Sequence, residues 1–164
     1  MPAAARRCVP ALAVLALLTV AGCTRPALSR QEYRARVTGY CAAAQAAQRA
    51  LPAATGRTAL LTRLRRLRAI NRRLTNRIAR LNPPIGTDQS HDKAINIGLR
   101  TDRVLGRITA ALKTSRDPAA ELARRRPALM AAAATDAHRW AILRLKGCVG
   151  GPSQALAATP APRA

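Results

Sequence analysis

The first residue that could carry covalent chemistry is Cys23, because its thiol directly follows two small residues, Ala21 and Gly22. Upstream of it stand a pair of arginines and then an apolar run over 9–20. About a dozen apolar residues are too few to span a bilayer comfortably, but they suit the hydrophobic region of a secretory signal. The small residues let a peptidase groove take the chain in extended form. The pattern therefore predicts export, with cleavage beside Cys23.

The sequence Val20-Ala21-Gly22-Cys23 resembles the bacterial lipobox. The resemblance implies that the Cys23 thiol takes a diacylglycerol before cleavage, so that residues 1–22 are a signal peptide and residues 23–28 a lipidated tether. Two acyl chains hold a protein at a membrane stably, whereas one holds it weakly. We expect palmitate at Cys23 and a location on the extracytoplasmic face of the cell membrane. The alternative is an incidental thiol beside an ordinary cleavage site, and Arg6-Arg7 leaves the twin-arginine route open beside the general secretory one.

The other cysteines predict a disulfide. Cys8 would leave with the leader, and Cys23 would carry lipid, which leaves Cys41 and Cys148 in a compartment that permits disulfides. A bridge closing a loop of roughly 100 residues would stabilise the fold by up to about 4–5 kcal/mol. The alternative, a reactive or metal-binding pair, lacks both a CxxC spacing and nearby histidines.

Arginine is the sharpest candidate for binding chemistry. The chain has 29 Lys and Arg against 7 Asp and Glu, for a formal net charge of +22. Such a charge favours anionic partners, such as nucleic acid, acidic lipid headgroups and wall polymers. Four residues could form a guanidinium stripe for phosphate-rich or carboxylate-rich polymers: Arg65, Arg68, Arg72 and Arg73. The alternative is a solvated helix face whose arginines reflect the composition of a GC-rich genome.

No arrangement typical of a catalytic or cofactor site is found in the sequence. A Gly-rich phosphate loop, HExxH, GxSxG and CxxC are all missing. The histidines stand apart: His91 lies at a predicted helix start, and His138 is expected to be solvated or interfacial. The acidic residues are scattered, and most lie at helix starts. We therefore expect a protein that is not an enzyme and that holds no cofactor and no metal.

Four helices are expected to carry these residues, since Ala, Leu and Arg are strong helix formers. Ser29 and Glu32 form a capping box that starts the first helix, which runs to about residue 50. The second and third are expected over about 57–81 and 91–114. The fourth begins at Asp117-Pro118, is kinked or restarted by Pro127 and ends at Gly147. The expected fold is an all-α, four-helix bundle-like domain over 29–149, with a disordered tail over 150–164.

The second helix has the clearest periodicity. One stripe repeats at heptad spacing: Leu60, Leu64, Leu67, Asn71, Leu74, Ile78 and Leu81. Asn71 is interpreted as a register-setting or water-contacting residue rather than a ligand. On the third helix, Gly98 and Gly106 could allow close helix approach. In an up-down-up-down bundle, the disulfide requires either that the first helix extend past the bundle end or that Cys148 fold back along it.

Three short sequences, Tyr40-Cys41, Leu81-Asn82-Pro83-Pro84 and Gly147-Cys148, resemble those of small helical exported proteins and lipoproteins of actinobacteria. The resemblance spans roughly residues 29–148 and implies no known activity. We expect a membrane-anchored cell-envelope lipoprotein, a non-catalytic binding or scaffold module whose Arg-rich helix contacts anionic lipid or wall polymer. The alternative is a cytoplasmic, basic nucleic-acid-binding protein whose leader has been misread. Nucleic-acid readers usually interleave aromatics with basic residues, so nucleic acid is not the expected partner.

Overall fold

Four α-helices and one short 3-10 helix are present in a computed structural model that describes residues 26–54, 56–151 and 155. Their bounds are α1 Arg30–Arg49, α2 Gly56–Ala79, α3 Asp88–Thr114, α4 Pro118–Ile142 and the 3-10 helix Lys146–Cys148. The predicted all-α, bundle-like class is confirmed, and α2 packs against all three other helices. The predicted signal peptide and Cys23 lie outside the described residues, as does most of the predicted tail over 150–164.

Two of the helix starts follow the sequence signals closely. The Ser29 hydroxyl accepts a hydrogen bond from the Glu32 amide at 3.1 Å, and the Glu32 carboxylate accepts one from the Ser29 amide at 2.9 Å. At α4, the Asp117 carboxylate accepts from the two amides that follow Pro118. Each cap satisfies amides that have no partner inside the helix, so the chain enters both helices at defined residues.

Helix α3 starts earlier than predicted, and α4 is not broken at Pro127. Helix α3 begins at Asp88 rather than His91, because the turn at Gly86 (φ +77°) leads directly into a first turn whose acidic residue suits the helix dipole. Pro127, predicted to kink or restart the fourth helix, lies inside a continuous α4, so the helix is not restarted there. The carbonyl of Ala123 loses its partner there, but Ala123 is exposed and water can replace the missing amide.

Helix α4 ends at Ile142 instead of Gly147, and it ends in a Schellman motif. Arg144 takes a left-handed conformation (φ 56°), and the Leu145 amide donates to the Trp140 carbonyl at 2.9 Å. The chain thereby reverses and turns Leu145 into the core, where it is buried. The 3-10 helix that follows carries Cys148 back to α1.

The predicted disulfide between Cys41 and Cys148 is present, with the two Cα atoms 4.9 Å apart. Of the two paths the sequence left open, Cys148 takes the second and folds back along α1. The Gln45 side chain on α1 donates to the carbonyls of Gly147 and Val149, which fixes this return segment. The bridge therefore ties α1 to the chain that leaves α4.

The core consists of two apolar clusters separated by a polar layer. The cluster around the disulfide includes Tyr33, Val37, Cys41, Ile78, Leu81, Ala94, Ile97, Trp140, Leu145 and Cys148. The cluster at the opposite end includes Leu60, Leu64, Leu67, Leu105, Ile108, Leu112 and Leu129. Between them Asn71, Thr75 and Thr101 are buried. The heptad stripe of α2 supplies residues to both clusters, as its periodicity predicted.

Helices α2 and α3 approach closely at Gly98. A Cβ atom on Gly98 would lie 2.0 Å from the Thr75 hydroxyl oxygen, so no larger residue fits without movement. The Asn71 amide donates to the Gly98 carbonyl at 2.8 Å across the same contact. A buried polar group that bonds to one residue of the facing helix fixes the register of the pair, which is one of the two roles that the sequence left open for Asn71.

Candidate anion-binding surface

The structure divides the predicted arginine stripe into two pairs. Arg68 and Arg72 each donate two hydrogen bonds to the Asp102 carboxylate on α3, at N–O distances of 3.0 to 3.1 Å. Each oxygen of Asp102 thus accepts from both guanidinium groups, an arrangement of strong charge-assisted bonds. We call Arg68, Arg72 and Asp102 the clamp. Two of the four predicted residues are therefore engaged with an internal anion.

Hydrogen bonding within the clamp stabilises the charged forms of Asp102 and Arg68. The hydrogen bond from Arg68, reinforced by that from Arg72, lowers the pKa of Asp102 to about 2 against the opposing effect of burial. The same bond raises the pKa of Arg68 above its usual value. The Arg68 guanidinium packs against Gly106 of α3, where a Cβ atom would lie 3.4 Å from Nη2, an ordinary contact distance. Arg68 thus lies against α3 with 29% of its side chain exposed, whereas 60% of Arg72 is exposed.

The other two predicted residues lie on the solvent side of α2. Arg65 is exposed and forms no ion pair within the described part of the chain. Arg73 is also exposed, and its Nε donates only a long bond of 3.4 Å to the Ala69 carbonyl of its own helix. Both side chains are therefore available to an external anion.

A second group of arginines was missed by the sequence reasoning. Arg36 and Tyr40 of α1 face Arg77 and Arg80 at the end of α2, across a groove with a cavity volume of about 410 Å³. We call this the N-terminal groove, and its remaining lining is Pro26, Leu28, Leu81 and Asn82. Spacings of three and four residues put each pair on one helix face. The sequence could not show that the two faces meet.

Within the N-terminal groove, Arg77 lies over an aromatic ring. The Arg77 guanidinium carbon lies 5.7 Å from the centre of the Tyr40 ring, within the range of a cation–π interaction. No acidic side chain belongs to the described lining of this groove. The Leu28 amide donates to the Asn82 carbonyl at 3.2 Å, so the chain that enters the domain is fixed at the rim.

A narrow cleft beneath Trp140 contains the half-buried Asp136. Its Oδ2 accepts from the Thr101 hydroxyl at 3.0 Å, while Oδ1 is buried without a hydrogen-bond partner among the described residues. Burial raises the pKa of Asp136 above its usual value. Thr101 also bonds to the Ile97 carbonyl at 3.0 Å, so its single proton serves two acceptors. The cleft volume of about 40 Å³ admits no more than a few water molecules.

The histidines do not come together. The His91 Nδ1 lies 3.0 Å from the Tyr33 hydroxyl in a buried pair that joins α1 to α3, whereas His138 is exposed, as predicted. In the described ranges, no group of three or more His, Cys, Asp or Glu side chains could hold a metal ion. None of the helices formed by those residues is both long enough and apolar enough to cross a membrane.

Comparisons with protein-family models, with curated proteins and with solved structures find no match for this chain. A functional proposal therefore rests on this chain's own sequence and on the arrangement of its side chains.

Proposed function

We propose that this protein is a lipid-anchored, non-catalytic component of the bacterial cell envelope that binds anionic lipid or wall polymer through exposed arginines. The observation that carries the proposal is the sequence Val20-Ala21-Gly22-Cys23 at the end of a signal-like leader. The Cys41–Cys148 disulfide supports it, because such bonds persist in oxidising compartments and are rare in the cytosol. The first helix begins at Arg30, a short distance along the chain from Cys23, so an anchor would keep the domain near the membrane.

The binding role is assigned to arginines that lack an internal acid. Arg65 and Arg73 meet this condition on α2, while Arg68 and Arg72 are excluded because Asp102 already holds them. An exposed guanidinium fork suits phosphate and carboxylate groups. We therefore expect substitution of Arg65 and Arg73 to weaken polymer or lipid binding more than substitution of the clamp arginines.

A cytoplasmic nucleic-acid-binding role is the competing function, and the net charge of +22 is the observation in its favour. Proteins that bind single strands stack bases on exposed aromatic rings. Tyr33 and Trp140 are buried in the core, and only Tyr40 is partly exposed. The surface thus offers few stacking positions, and the envelope role is preferred.

Palmitate labelling and intact mass spectrometry of the native protein test the proposal together. We expect a chain that begins at Cys23 and carries the mass of a diacylglyceryl group. A Cys23→Ser variant should lose both the label and membrane partitioning. The Cys8→Ser variant is the matched control, since it removes another leader thiol and should be labelled normally. A native protein that begins at Met1 with no acyl mass would refute the proposal.

A further inference from the structure

We propose that the N-terminal groove binds the phosphodiester headgroup of an anionic phospholipid. This inference rests on the proposed function, because it assigns a specific ligand and site to a domain held at a membrane. It differs from the predicted stripe in location and in residues, since Arg36, Arg77 and Arg80 lie at the end of the bundle where the chain enters.

Charge is the first argument. Arg36, Arg77 and Arg80 converge from two helices, and the described lining includes no carboxylate. Glu32 interacts electrostatically with Arg36, but its carboxylate caps the start of α1 through the Ser29 amide. The C-terminal end of α2 adds only about half a negative charge. An excess of positive charge therefore remains for an external anion.

The chemistry of the remaining lining is the second argument. Leu28, Leu81 and Tyr40 supply apolar surface beside the guanidinium groups, and all three are part of, or pack against, the cluster around the disulfide. A phosphodiester suits the arginine forks, and the glycerol backbone with its first methylene groups suits the apolar side. Tyrosine is favoured at membrane interfaces because its ring is apolar and its hydroxyl polar. A wholly polar polyanion would leave this apolar surface unused.

Position is the third argument. Pro26 lines the groove and stands three residues after Cys23 in the sequence, so the two Cα atoms can be at most ~11 Å apart. Leu28 is held to the Asn82 carbonyl at 3.2 Å, so the entering chain is fixed at the rim. An acylated Cys23 would thus keep the Pro26 side of the groove within about one Debye length of the lipid surface, where anionic headgroups attract arginine most strongly.

Vesicle binding by the form that processing would leave, without its lipid, tests the inference. We would use a chain that begins at residue 23 and carries Cys23→Ser, with vesicles of phosphatidylcholine alone or mixed with phosphatidylglycerol. Binding should require phosphatidylglycerol. Replacing Arg36, Arg77 and Arg80 together with glutamine should reduce that binding about tenfold or more.

The matched control removes the same charge from another surface. Arg103, Arg107 and Arg116 are exposed on or beside α3 and line none of the described groove, so their joint replacement with glutamine should reduce binding only about two- to threefold. Thermal unfolding and thiol titration establish that both triple variants keep the fold and the disulfide. Equal losses in the two folded variants would overturn the inference, because they would indicate attraction by net charge alone.

Competition identifies the source of the phosphate. Glycerophosphoglycerol should displace the protein from the vesicles at lower concentration than inorganic phosphate does. Equal displacement by inorganic phosphate, or an equal loss of binding to a single-stranded oligonucleotide in the groove variant, would overturn the lipid assignment. Because the assay contains no acylated protein, its failure leaves the anchor intact. Failure of palmitate labelling would refute the anchor without altering the vesicle result.

Discussion

The clamp takes both of its arginines from α2, and the N-terminal groove takes Arg77 from the same helix, yet the two regions differ in what their arginines can do. In the clamp, Arg68 and Arg72 are bound to Asp102 and hold α2 to α3. In the groove, Arg77 lies over an aromatic ring, and Arg80 stands in a lining without acids. The number of arginines on a helix therefore does not give the number available to a ligand.

The partner helix creates this difference. Facing the clamp, α3 contributes the carboxylate of Asp102 and the backbone at Gly106, against which the Arg68 guanidinium packs. Facing the groove, α1 contributes another arginine, Arg36, and Tyr40. Helix α3 thus pairs two arginines of α2 with an acid, whereas α1 places a further positive charge beside α2. The two regions should therefore respond differently to substitution.

Loss of the disulfide is expected to have the largest effect and to act on the groove. Cys41 adjoins Tyr40 on α1, so the bridge holds the α1 wall of the groove in place. Replacing Cys41 and Cys148 with serine should lower the free energy of unfolding by up to about 4 kcal/mol. Urea unfolding measures this, and phosphatidylglycerol vesicle binding should fall with it. Unchanged vesicle binding by the double variant would show that the groove does not depend on the bridge.

Gly98→Ala is expected to have the next largest effect, at the α2–α3 contact that positions the clamp. The new methyl group would meet the Thr75 hydroxyl, and we expect a loss of roughly 2–3 kcal/mol in the free energy of unfolding. Gly106→Ala is the matched control, because its methyl group would only touch the Arg68 guanidinium at ordinary contact distance. Alanine favours helix there by up to ~1 kcal/mol, so this variant should be neutral or slightly stabilised. Denaturant melts that rank the two variants in reverse would contradict the described packing.

The clamp also predicts an acid-sensitive contribution to stability. The pKa of Asp102 is held at about 2, below its ordinary value of 3.8, so ionised Asp102 stabilises the fold above about pH 4. That contribution is lost as the pH falls through 2. Asp102→Asn should therefore cost about 1–2 kcal/mol at neutral pH, and the difference from the natural protein should shrink between pH 4 and 2. Thermal melts across this range test it, and a difference that is constant with pH would argue against the clamp.

The sequence predicted those features whose signals are local. The capping box at Ser29, the Asp117-Pro118 start and the apolar stripe of α2 each depend on residues a few positions apart, and the structure has all three. The disulfide could be predicted because, under the proposed processing, only Cys41 and Cys148 remain to pair. The inward face of α4 follows its periodicity less well: the pattern predicts Leu129, Met130 and Trp140 on the buried side, but Met130 is 53% exposed.

The features that the sequence could not predict depend on contacts between distant helices. Asp102 is separated by a whole loop from Arg68 and Arg72, so nothing in the local pattern marks their pairing. The N-terminal groove requires the relative register of α1 and α2, which periodicity leaves open. Glycine usually marks the left-handed residue that ends a helix, but at the end of α4 this residue is Arg144. The sequence therefore did not mark the earlier end of α4.

The smallest expected effect separates the two kinds of arginine most directly. Arg68→Gln removes one of the two guanidinium groups from Asp102, and we expect a loss of about 1 kcal/mol in the free energy of unfolding. Arg80→Gln removes the same charge from the residue that directly follows α2 and leaves no acid behind, so its change should lie within about 0.5 kcal/mol. In vesicle binding the order should reverse, with Arg80→Gln the weaker binder. Equal losses of stability and of binding in the two variants would contradict this comparison. They would show that pairing with Asp102 does not decide which arginines can bind a ligand, and that charge alone governs both regions.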